Sequence, residues 1–214
     1  MRSCIIALFV VLMTGCASEE HRRLPILGER EPVEKTVDGK AVTDTLYKTI
    51  PAFDFLNQDS VQVTEKDFDG KIYVADFFFT SCPSICPIMH RNMLKAYEKF
   101  KGNPEVKFLS HSIDSKYDIP SVLKKYATKL GVEGTQWEFV HGSKDSIYTI
   151  AEKDYLVAVN EDPNKETGGF IHQGWFILID KEKRLRGAYD GTKEDQVSQM
   201  ITDMQLLLDE YKTK

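Results

Sequence analysis

The chain of 214 residues has only four cysteines, no dense run of lysine or arginine, and a formal net charge of -5. The missing basic patch excludes an electrostatic footprint for nucleic acid, so no nucleic-acid partner is expected. Its one strongly apolar terminal stretch, Ile5 to Met13, is too short to span a bilayer. No internal repeat or low-complexity tract is present, and 42% hydrophobic content suits one ordinary domain with a short extension.

The cysteines divide by position. Arg2, the apolar stretch and Leu12-Met13-Thr14-Gly15-Cys16 read as an export signal ending in a lipobox-like sequence, with an ordinary cleaved signal as the alternative. On the lipobox reading residues 1–16 are a lipoprotein signal peptide, Cys16 is the lipidation point, and Cys4 leaves with the signal. The chain is then expected in a bacterial cell envelope, anchored to a membrane through its lipid and facing the periplasm or the exterior. Cys82 and Cys86 remain in the mature chain, in a compartment where unprotected thiols oxidise. A bridge closing so short a loop stabilises little, which argues against a purely structural role.

Residues 17–45 are polar, with scattered Pro and Gly and no sustained periodicity, and read as a tether that includes His21. Residues 46–214 read as the folded domain. Val61 and Val63 follow the polar Asn57–Ser60 turn as in a short hairpin, and Ile72 to Phe79 has the composition of a strand buried on both faces. Pro87 starts a helix whose Met89, Met93, Ala96, Tyr97 and Phe100 recur at helical spacing until Gly102. Strands at Val106–Ser112 and Trp137–Val140 alternate with helices at Pro120–Leu130 and Ser146–Lys153. Strands at Gly174–Asp180 and Leu185–Tyr189 precede a final amphipathic helix, with Thr192 as candidate cap. This order predicts an α/β fold of thioredoxin layout, a central mixed sheet flanked by helices, with an N-terminal hairpin extension.

Cys82 and Cys86 lie where the first core strand hands over to its helix. Unpaired amides and the macrodipole there favour an anion, so at least one thiol is expected to ionise readily. Side chains at i and i+4 share one side of a helical turn, close enough to chelate one ion or to form a reducible disulfide. Metal binding and redox exchange are both open. His90 extends the ladder by another four residues and is a rival ligand or an exposed helix residue. Asp76, an acid inside an apolar strand, is either a proton relay for the dithiol or a satisfied core group.

Cys82-Pro83-Ser84-Ile85-Cys86-Pro87 after an aromatic strand, together with Gly168-Gly169-Phe170-Ile171-His172-Gln173-Gly174-Trp175-Phe176, resembles the Sco/SenC family of copper proteins. The resemblance runs from about Ile50 to the last helix. It implies a metallochaperone assisting assembly of the dinuclear copper centre of cytochrome c oxidase, with one copper ion, Cu(I) or Cu(II), held by Cys82, Cys86 and His172. The implied partner is the copper-bearing subunit of that oxidase or another exported copper protein. Soft thiolates suit Cu(I), and an added imidazole keeps the site acceptable to Cu(II).

The alternative is a membrane-tethered thiol-disulfide reductase in which Cys82 and Cys86 are a redox pair that closes to a disulfide; a peroxidase of the peroxiredoxin kind ranks below it. Against a plain oxidoreductase, three residues separate the cysteines where thioredoxins have two, and His172 stands near the place of their cis-proline. Ile171 departs from the acid that family members often carry before the histidine. Asp114 corresponds to a recurrent family acid and reads as a loop organiser. His111 and His141, near strand ends, carry no comparable context. Tyr189, Trp137 and Trp175 read as packing residues.

Overall fold

A computed structural model describes residues 23–163 and 169–212, with the backbone alone at 171 and 172. Its centre is the strand β5 (Ile72–Phe78), buried at every position as its unbroken apolar sequence requires. β5 lies parallel to β6 (Val106–Ser112), and β6 parallel to β7 (Trp137–His141). The crossovers are the helices α1 (Cys86–Phe100) and α2 (Pro120–Leu130). Pro120 sits in the first turn of α2, and Gly131 closes it in the left-handed conformation at φ 74°.

Antiparallel strands complete the sheet on both sides. β3 (Asp54–Asn57) pairs with β7 and with β4 (Gln62–Thr64), forming the hairpin expected around Asn57. β10 (Trp175–Ile179) pairs with β5 and with β11 (Leu185–Asp190), giving the order β11-β10-β5-β6-β7-β3-β4. α4 (Glu194–Lys212) buries Val197, Met200, Met204, Leu207 and Leu208 as its stripe predicts. Thr192 does not cap α4: its hydroxyl donates to Asp190 Oδ1 at 2.6 Å. The expected helix near residue 146 is α3 (Lys144–Thr149), which runs into one π turn at Ile150–Asp154. The mixed sheet with helices at its crossovers is thioredoxin-like.

Two segments differ from the sequence reading. Within the expected tether, β1 (Arg30–Val37) and β2 (Lys40–Tyr47) form an antiparallel hairpin, exposed along nearly its whole length. With neither face buried it has no hydrophobic alternation to read, and the boundary drawn before residue 46 falls inside β2. Just upstream the chain is strapped to the body: Leu27 bridges Leu185, and Arg186 donates to the carbonyls of Leu24 and Pro25. Separate from the main sheet, β8 (Val159–Glu161) pairs with β9 (Phe170–His172), placing His172 opposite Val159.

Candidate functional site: a dithiol at the start of helix α1

Cys82 lies in the turn after β5, where its N–H donates to Phe79 O at 3.2 Å, and Cys86 is the first residue of α1. Both are buried, at 7% and 1% exposure, and both stand as thiols rather than as a disulfide. Cys82 Sγ lies 3.8 Å from Ser84 Oγ. A hydrogen bond to Cys82 pushes the Cys86 thiol well above its ordinary range, and burial adds to the shift. The expected ease of ionisation therefore does not belong to Cys86, where loss of water and a neighbouring sulfur outweigh the helix terminus.

The turn is pinned from the β6 side. The Asp118 carboxylate accepts from Thr80 N at 2.8 Å, from the Thr80 hydroxyl, and from Ser112 Oγ at 2.6 Å. Burial raises the pKa of this carboxyl, while the same hydrogen bonds lower it. Asp114 organises the adjoining loop as expected, accepting from the backbone N–H groups of Lys116 and Tyr117.

Asp76 lies on β5 beneath the dithiol and is fully buried. Its Oδ2 bonds His90 Nε2 at 2.9 Å, and its Oδ1 accepts from Ser110 Oγ, which accepts in turn from Trp137 Nε1 at 2.9 Å. The other ring nitrogen of His90 bonds the Tyr126 hydroxyl at 2.8 Å. Both nitrogens of His90 are thus committed, which removes it as a rival ligand and as an exposed helix residue. The sequence held a signal for this: His90 falls on the stripe 86, 90, 93, 97 that faces the core. Trp137 is more than packing, since it orders Ser110. Burial raises the pKa of Tyr126, and its neighbours Cys86 and Asp76 raise it further.

His172 ends β9, and the residues around it pack on the dithiol turn. The ring of Phe170 meets that of Phe79 at 5.0 Å between centroids. A Cβ built at Gly174 would lie 3.6 Å from Ile85 and 3.5 Å from Met89, flanking the second cysteine. The structure therefore brings the histidine-bearing segment and both cysteines to one end of the sheet. Among the described residues, no group of three His, Cys, Asp or Glu side chains is arranged to hold a metal. Cys16 and His21 lie outside the described residues. His111 packs its ring against Phe55, Phe77 and Tyr155, His141 ends β7 opposite Leu56, and no helix of the described residues is long and apolar enough to cross a membrane.

A buried thiol pair at a strand-to-helix turn, faced by a late loop bearing a histidine, defines a thioredoxin-like dithiol protein. The SCO1/SenC family model matches residues 42–209, and the chain belongs to that family. A SCO1/SenC family lipoprotein from Bacillus anthracis is 32% identical, covering 75% of this chain and 95% of its own, with a TM-score of 0.69. BsSco, described as a member of the Sco family of cytochrome c oxidase assembly proteins with a disulfide switch, is 30% identical, covering 76% and 94%, at a TM-score of 0.64. ScoI from Bradyrhizobium japonicum, solved with copper bound, shares the fold at 20% identity, covering 75% and 99%, with a TM-score of 0.63.

Proposed function

We propose that this chain is a copper carrier that holds one ion through Cys82, Cys86 and His172 and delivers it to an exported copper protein, the copper-bearing subunit of cytochrome c oxidase in the first place. The observation that supports it most is the packing of Phe170 and Gly174, on either side of His172, against the turn that carries both thiols. Two thiols and an imidazole fit copper in either oxidation state. A relative of the same fold solved with copper bound, and one described as an oxidase assembly protein, support the same reading. The lipoprotein relative supports Cys16 as a lipid anchor that keeps the domain at a membrane in the cell envelope.

Chemically, loading exchanges protons for metal. The Cys86 thiol, held protonated by Cys82 and by burial, must lose its proton before it can ligate. Affinity accordingly weakens as pH falls, and acid releases the ion. Three protein ligands leave the ion open to an incoming ligand, so transfer runs by stepwise exchange within a docked complex. The test is an anaerobic Cu(I) titration against a competing chelator. One tight equivalent, weakened in both His172→Ala and Cys82→Ser, supports the carrier; no tight binding overturns it.

The fully buried Asp76 beneath the dithiol favours a second reading, in which the pair reduces the cysteines of an exported copper protein and Asp76 relays the proton. On this reading Asp76→Asn slows thiol-disulfide exchange without weakening copper binding. Equal exchange rates for the variant and the natural chain would remove it.

A further inference from the structure

We infer that the dithiol-bearing end of the domain is a docking face for an uncharged, apolar patch on an exported protein that presents thiols of its own, with Ile88, Tyr117, Ile119 and Leu156 as the contacting side chains. The inference rests on the proposed carrier or reductase role and names the surface through which either would act.

These four residues are large, apolar and exposed at 43%, 59%, 46% and 53%. Each belongs to a segment fastened to the site. Ile88 follows Cys86 by two residues in the first turn of α1. Tyr117 and Ile119 flank Asp118, whose carboxylate holds Thr80 just before Cys82. Leu156 lies in the turn leading to β8, the strand opposite His172, and Ala158 in the same turn exchanges hydrogen bonds with Gln173 at 3.4 Å.

Leu156 carries a second signal. Its φ is 59°, a left-handed conformation that a bulky side chain rarely adopts. The flanking bonds Tyr155 N to Ile150 O and Val157 N to Ala151 O hold the turn that imposes it. A glycine or asparagine would meet this backbone requirement more easily and would expose no apolar surface. A leucine both strained and exposed points to a use outside the fold.

The charge pattern selects the occupant. From Ser81 to Ile88 there is no charged residue, although Ser81, Pro83, Ser84, Pro87 and Ile88 are exposed. A partner steered by charge would find nothing to match on this turn, since the exposed charges of the rim segments, Arg91, Lys116 and Lys153, lie outside it, whereas an apolar protein face would. A small free thiol would need only access to sulfur, not an apolar rim. Because both cysteines are more than nine-tenths buried, ligand or disulfide exchange requires the acceptor's thiols to be brought down onto the turn, which a protein face closing over the rim does.

The test compares the full chain with Leu156→Asn and Tyr117→Ser, neither a proposed ligand. The probe is the soluble copper domain of a cytochrome c oxidase subunit with its thiols reduced, and Cu(I) transfer is followed by stopped flow at low and high salt. Expected are unchanged Cu(I) affinity, an unchanged or higher melting temperature for Leu156→Asn, a fall of about tenfold in the second-order transfer rate, and little salt dependence. Unchanged transfer in both variants overturns the face, as does a steep salt dependence. A dimer of the natural chain that the variants lose would overturn the acceptor as occupant and assign the surface to a second copy. If the natural chain passes no copper, the carrier reading fails on its own account. The same variants are then assayed for reducing the oxidised domain, where a matching fall sustains the face and an unchanged rate overturns it.

Discussion

Asp76 Oδ2 and His90 Nε2 lie 2.9 Å apart, with neither side chain reached by solvent. A carboxylate at such depth persists only when its oxygens are satisfied, and His90 and Ser110 supply the two donors. His90→Leu leaves Oδ2 without its partner and should destabilise the domain by about 3 kcal/mol at neutral pH. Asp76→Asn keeps an acceptor for Ser110 and should cost less. Urea unfolding of both variants decides it: equal midpoints for His90→Leu and the natural chain would sink the account.

His111 gives an acid-sensitive contribution of opposite origin. Its Nδ1 bonds the Asp76 carbonyl at 3.2 Å, its Nε2 has no hydrogen-bond partner among the described residues, and burial lowers its pKa to about 4. The unfolded chain takes a proton near the ordinary value of 6.5 while the folded chain refuses it. The stability so contributed is complete above pH 6.5 and is lost as pH falls towards 4, up to about 3 kcal/mol. Asp118 and Glu138, whose pKa values burial raises, oppose this slope. The readout is therefore the stability of the natural chain minus that of His111→Phe, a signed difference that should fall steadily on acidification. A difference that stays constant from pH 7 to 4 would count against it.

The two thiols should react in order. Cys86 is nearly inaccessible and its proton is held by Cys82 and by burial, while Cys82 has the greater exposure. Brief alkylation of the reduced protein near neutral pH should label Cys82 first, as peptide mass mapping will show. Preferential labelling of Cys86 would contradict the assignment.

Arg186 is the hub of the N-terminal strap. Beyond the Leu24 and Pro25 carbonyls it reaches Asp180 at 3.1 Å and Glu210 at 2.8 Å, while Leu24 N–H donates to Glu210 at 2.7 Å. Arg186→Met should free the strap by removing its bonds to the Leu24 and Pro25 carbonyls and its buried ion pair with Glu210, at a cost of about 3 kcal/mol. Hydrogen exchange should then show the amides of Leu24 and Leu27 deprotected while those of β5 stay slow. Retained protection at Leu24 and Leu27 would mean that the strap does not depend on this arginine.

What the sequence revealed follows from where burial leaves a pattern. β5 announces itself because all seven positions are buried, and α1 and α4 because one stripe of each meets the sheet. The dithiol was legible because its chemistry is local to six consecutive residues. The β1–β2 hairpin was not, since both its faces meet water and only backbone pairing defines it. Nor was the setting of Asp76, whose partners His90 and Ser110 come from α1 and β6 and are held in turn by Tyr126 of α2 and Trp137 of β7: no spacing rule ties these residues together. The αL leucine at 156 gives no signal in composition at all.

The strap also fixes a polarity. It grips the first residues of β11 and, through Glu210, the closing turns of α4. At the other end of β11, Gly191 N–H donates to Gly174 O and Gly191 O accepts from Asn92 of α1, beside the thiols. About 20 Å of strand separates the two ends. The chain upstream of Leu24 leaves from the heel of the domain while the cysteines sit at its toe. Whatever the chain is joined to ahead of residue 23 therefore stands a domain's height from the sulfurs, and a partner that reaches the thiols approaches from the side opposite that junction.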